Sequence, residues 1–102
     1  MIPVLSAESA RIAELCRRFH VRRLDLFGSA AREADFSGDS DIDLLVTYQP
    51  GYSPPPLSDF LALRDALAAL TGRQIDLVMD SAIRNPFLRR DIERSRVPLH
   101  GA

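Results

Sequence analysis

Asp41-Ile42-Asp43-Leu44-Leu45-Val46-Thr47-Tyr48 opens on two acids and runs on into an apolar stretch, and the rest of the chain is read outward from it. Side chains of a β-strand alternate between its faces. Asp41 and Asp43 therefore share one face, roughly 7 Å apart along the backbone, while Ile42, Leu44 and Val46 take the other. The acids are carried by an element whose opposite face is anchored in a core. Like charges so placed repel, and a hard divalent cation such as Mg²⁺, which takes carboxylate oxygens, relieves the repulsion.

Downstream, Gln49-Pro50-Gly51-Tyr52-Ser53-Pro54-Pro55-Pro56 stops the strand, because consecutive prolines donate no ladder hydrogen bonds. Ser58 then predicts the cap of a helix from about Asp59 to Leu70, with Phe60, Leu63, Leu67 and Leu70 on one stripe and Gly72 just past its end. A second strand follows, Gln74 to Asp80, in which Asp76 stands between Ile75 and Leu77. If it lies beside the first, at the usual spacing of about 4.8 Å, the carboxylates of Asp41, Asp43 and Asp76 converge. Three acids around metal ions are the recurring requirement of two-metal phosphoryl-type chemistry, and they make these residues the candidate catalytic and metal-binding set. Asn85-Pro86 is a helix entry, predicting a last helix to about Ser95 with Phe87, Leu88 and Ile92 inward. Val97 to His100 reads as a short edge strand.

Upstream, Ser6 can cap a helix from about Ala7 to Phe19, with Ile12, Leu15, Cys16 and Phe19 on one face, which makes Cys16 a core residue. Arg22 to Phe27 is a strand that stops at Gly28. Ser29 to Glu33 can form a turn or two of helix before the chain loosens through Asp35, Ser37, Gly38 and Asp39. A Gly-Ser pair where a strand ends and a helix begins brings free backbone N–H groups and the positive helix end together, so Gly28 and Ser29 are candidate phosphate ligands. Arg32, one turn further on, can add a cation. Phe27, Phe36 and Phe60 are expected in or near the core. Asp25 is expected to be solvated or paired with an arginine, and Arg84, Arg89, Arg90, Arg94 and Arg96 to form a solvated helix face. His20 and His100 are too far apart to suggest a shared metal site.

The pattern predicts one α/β domain over residues 1–102: a small mixed sheet of three to four strands with about four flanking helices. Thirteen Lys and Arg against fourteen Asp and Glu give a net charge of −1, which argues against direct DNA binding. The lone Cys16, the absence of a basic, apolar leader and the absence of any apolar run approaching about 18 residues make the cytoplasm, and no membrane association, the expectation.

Leu26-Phe27-Gly28-Ser29, then Ser40 to Val46, then Ile75-Asp76-Leu77-Val78, closed by Val97-Pro98-Leu99-His100-Gly101, together resemble the minimal nucleotidyltransferases of the polymerase-β superfamily over nearly the whole chain. The one departure is eleven residues between Ser29 and Asp41, one more than the family pattern, which lengthens the loop. The resemblance implies a polymerase-β-like nucleotidyltransferase fold, Mg²⁺, and transfer of AMP from ATP to a hydroxyl with release of pyrophosphate. It gives Asp41, Asp43 and Asp76 the metals and Gly28, Ser29 and Arg32 the nucleotide. It also implies a partner, since many such proteins are antitoxins that attach AMP to a tyrosine of a HEPN ribonuclease toxin and assemble with it. Two other readings stay open: a non-catalytic module that neutralises a toxin by contact, and nucleotidyl transfer to a small molecule or an RNA end.

Overall fold

Leu24, Leu26, Ile42, Leu44, Val46, Ile75 and Leu77 are all buried and all fall on one face of a sheet, as alternation requires. The computed structural model describes residues 3–28, 31–32 and 41–101. Among them, β1 (Val21–Phe27) and β2 (Ile42–Tyr48) pair antiparallel, β3 (Ile75–Met79) joins β2 in parallel, and β4 (Val97–His100) lies antiparallel on the other side of β1. The order is β3-β2-β1-β4. A parallel neighbour needs a crossover, and α3 (Leu57–Thr71) supplies it between β2 and β3.

That crossover helix and α2 (Ser9–Arg18) cover the apolar face with Leu63, Leu67, Ile12 and Cys16. Each fully buried aliphatic side chain contributes about 1.5–3 kcal/mol here. Burial also pushes the Cys16 thiol up to about 12, so it packs as a small hydrophobe rather than serving as a nucleophile. The opposite face is half covered. Leu45 packs there with Ile83 and Ile92, flanked by Phe27 and Val78, under α4 (Pro86–Ser95).

Several boundaries differ from the sequence reading. The first helix begins earlier, as α1 (Pro3–Ala7), and continues into α2 after a break at Glu8. Ser6 is not its cap: the Glu8 N–H donates to Val4 O and the Ile12 N–H to Glu8 O, so the helical ladder runs on past the position where a cap would be needed. Helix α3 starts two residues before Asp59, with the Pro56 carbonyl accepting from the Asp59 and Phe60 N–H groups, so Ser58 lies inside it. It ends at Gly72, in the left-handed conformation expected of a helix stop. Asn85 caps α4 as expected, its Oδ1 accepting from the N–H groups of Phe87 and Leu88. Phe87 and Leu88 themselves do not turn inward, being 73% and 48% exposed, and Ile92 alone of the three is buried. Pro86 at the first helical position sets the phase, and the first turn of α4 lies beyond the apolar patch that Ile92 reaches. The loop through Asp39, with Phe36 and with Ser29, Ala30 and Glu33 of the predicted turn, falls outside the described residues.

Candidate active site

Register builds the site. Phe27 stands opposite Asp43 across β1 and β2, and Asp43 opposite Asp76 across β2 and β3. All three side chains therefore share the face that α4 only partly covers. The two carboxyls are close enough to hydrogen-bond. Burial, then the charge and hydrogen bond of Asp76, then the charge of Asp41 push the Asp43 carboxyl up from its ordinary 3.8 to about 6, against a pull from the Arg32 guanidinium. Asp41, exposed on the residue before β2, is thus near enough to act on Asp43 electrostatically. Among the described residues no three acidic, imidazole or thiol groups close on a single point.

Gly28 ends β1 beside this pair. Its φ is +68°, and the N–H groups of Ala31 and Arg32 both donate to its carbonyl at 3.2 Å, so the chain turns sharply there. A Cβ at this position would overlap Asp43 Oδ2 and come within 3.2 Å of its Cγ. Gly28 is therefore required twice, for its backbone conformation and for the space the Asp43 carboxylate occupies. Gly28→Ala is expected to lower stability by about 1–3 kcal/mol in urea titrations. The titration of the Asp43 carboxyl carbon, followed by NMR, should shift with it. Ser29 lies outside the described residues. Arg32 is exposed and close enough to lower the Asp43 proton affinity.

The donor set fits a hard divalent cation. Two carboxyls that share a hydrogen bond when protonated, with a third nearby, offer oxygen ligands whose mutual repulsion a cation would cancel. Asp41, Asp43 and Asp76 are the residues that would hold it.

Asp25 takes the paired alternative of its expectation. It is fully buried rather than solvated, and it is paired with arginine: Arg23 Nε donates to it at 3.1 Å, and Arg96 Nη2 donates from beyond α4. Alternation puts Asp25 on the same face as Asp43. Its partner Arg96, 71 residues away, had no local signal in the sequence. Nor is the arginine run a purely solvated face, since the Arg96 side chain is only 10% exposed and Arg89 binds Asp80 Oδ1 and the carbonyls of Asp80 and Ile83.

The nucleotidyltransferase domain family matches this sequence over residues 10–99. The protein adenylyltransferase MntA of Thermococcus cleftensis is 39% identical to it over 76% of this chain and 74% of its own. A solved structure of a candidate minimal nucleotidyltransferase superposes with a TM-score of 0.76 at 34% identity, over 92% of this chain and 91% of that one. The fold is also shared, with a TM-score of 0.68 at 20% identity over 96% of this chain and 73% of that one, by a chain in the complex of a tri-AMPylated Shewanella oneidensis HEPN toxin with an MNT antitoxin.

Proposed function

We propose, from the premise that this chain belongs to the nucleotidyltransferase domain family, that it transfers AMP from ATP to a tyrosine hydroxyl of a HEPN ribonuclease toxin and so acts as its antitoxin. The observation that carries the reading is the Asp43–Asp76 pair, held in register beside the Gly28 turn. The choice of AMP and of a protein acceptor is supported by the adenylyltransferase relative, and the choice of a HEPN toxin by the fold shared with the toxin–antitoxin complex. ATP as donor and toxin as acceptor set the reaction in the cytoplasm. No described helix is long and apolar enough to cross a membrane.

In the reaction, the acceptor oxygen attacks the α-phosphorus of ATP, the bond from that phosphorus to the bridging oxygen breaks, and pyrophosphate leaves with the electron pair. Asp76, the more exposed of the paired acids, orients the tyrosine hydroxyl and takes its proton. Asp41, Asp43 and Asp76 would hold Mg²⁺, which when bound neutralises charge developing on the phosphates. Gly28 lets the backbone approach the triphosphate closely, Ser29 adds a hydroxyl donor, and Arg32 adds a cation. These contacts position the α-phosphorus in line with the hydroxyl, where most of the barrier reduction in phosphoryl-type transfer originates.

Incubation with a HEPN partner, ATP and Mg²⁺ should add the mass of AMP to that partner, and replacing its acceptor tyrosine by phenylalanine should prevent the addition. A partner left unmodified while ATP binds would overturn the reading. If Asp41→Asn and Asp43→Asn left neutralisation of the toxin intact, neutralisation by contact would replace it.

A further inference from the structure

On the sheet face that carries Asp43, four residues further along β2 and so about 13 Å away, a separate pocket of about 250 Å³ opens between the sheet and α4. Arg22, Arg23 and Thr47 line it from the sheet, Arg23 and Thr47 standing opposite each other in register, and Asp80, Arg89, Glu93 and Arg96 line it from the other side. We infer that this pocket is a binding site for a small phosphate-bearing anion, separate from the acid pair.

Charge is the first argument. Among the described residues, the guanidiniums of Arg23, Arg89 and Arg96 pair with the three carboxylates of Asp25, Asp80 and Glu93, and Arg22 adds a fourth cation to the pocket lining. A network serving stability alone has no need of the fourth cation, and Arg22 is exposed with no partner among the described residues. Preorganisation is the second. Arg89 is fixed from behind by the carbonyls of Asp80 and Ile83 at 2.8 and 3.2 Å, and Arg23 and Arg96 by the buried Asp25. Guanidiniums locked this way lose little freedom when an anion arrives.

The third argument comes from Glu93. Its carboxylate, on a side chain 51% exposed, lies 2.7 Å from Arg96 Nη1 and 3.8 Å from Arg89 Nη1, bridging the two arginines. It stands where an oxygen of a bound oxyanion would stand, and it can swing into water to admit one. Arg96, nine-tenths buried, also keeps a buried Nε without a hydrogen-bond partner, so the carboxylates around it leave its donors incompletely used. Tetrahedral phosphate oxygens match several guanidinium forks at once better than one carboxylate does.

The test uses no ATP, so its outcome is independent of the transfer reaction. The protein is titrated in EDTA at constant ionic strength with inorganic phosphate and, separately, with pyrophosphate, and backbone and arginine side-chain NMR signals are followed. Signals of Thr47, Arg89 and Glu93 should move together, while those of Gly28 and Asp43 should move less. Arg22→Ala should weaken binding about three- to tenfold, and Glu93→Gln should tighten it by a similar factor, each being one charge-assisted contact on a partly exposed rim. Tighter binding of one of the two anions identifies which source the pocket serves. Shifts that sodium chloride reproduces at equal ionic strength, shifts centred on Gly28, or affinities unchanged in Arg22→Ala would overturn the inference.

Discussion

Asp43→Asn should make the metal-free protein more stable while reducing nucleotidyl transfer by roughly 10³-fold, the scale on which removal of a group that stabilises transition-state charge is felt. The stability gain follows from the raised proton affinity of Asp43, which titrates near 6 rather than 3.8. A carboxyl whose proton affinity is higher in the folded state than in the unfolded one favours folding when protonated and opposes it when ionised. The penalty is fully present above about pH 6, fades as the pH falls, and is gone below 3.8. Asparagine removes it. A tenfold change in proton affinity is worth about 1.4 kcal/mol, and solvent screening at a partly exposed site reduces that, so the gain at pH 7 is about 1–2 kcal/mol. That corresponds to a rise in Tm of about 5–10 °C for a domain of this size. Thermal melts at pH 7 and pH 4 check the sign, because the two proteins should differ at pH 7 and converge at pH 4. Equal melting at pH 7 would show that the acids are not strained against each other.

The largest loss of stability is expected at Asp25. Removing its carboxylate as Asp25→Ala leaves Arg96, nine-tenths buried, without its main partner, and should cost about 3–5 kcal/mol. Burial works against the Arg96 charge, yet the carboxylates of Asp25 and Glu93 outweigh it and hold that charge firmly in place. The pair is not, however, intrinsically stabilising relative to an apolar one. Asp25→Leu combined with Arg96→Met removes both charges from the interior and should lie within about 1 kcal/mol of the parent. Urea titrations of the single and double variants measure both quantities, and a double variant as unstable as the single would show that packing, not charge, dominates there.

How much of this is legible in the sequence depends on the range of each interaction. Asp43 and Asp76 can be placed because alternation is a local rule and each strand carries its own pattern, while Asp41 stands one residue before β2. The pairing of Asp43 with Asp76 needs only that β2 and β3 be neighbours, which they are, whereas no three acids close on one point among the described residues. The closing strand, Val97–His100, is likewise readable from its own residues. The depth of Asp25 is not, because burial of a charge is decided by what arrives to pair with it, and Arg96 belongs to a different part of the sequence. The inward turn expected of Phe87 and Leu88 fails for a related reason: periodicity gives the spacing of a stripe along a helix but not how far the surface beneath it extends. At Ser6 and Ser58 the residue type suits a cap, but the helix continues past it on backbone bonds alone.

The ion pair between Asp25 and Arg96 also has a history in time. The two residues are separated by 71 positions. At ribosomal rates of about 5–20 residues per second, Asp25 is made roughly 4–14 s before Arg96 is added. During that interval β1, β2 and the intervening chain can already collapse, but a fully enclosed carboxylate has only Arg23 to offset it. The nascent sheet is therefore expected to stay open on the β4 side, with its final closure timed by synthesis of the strand that brings the arginine.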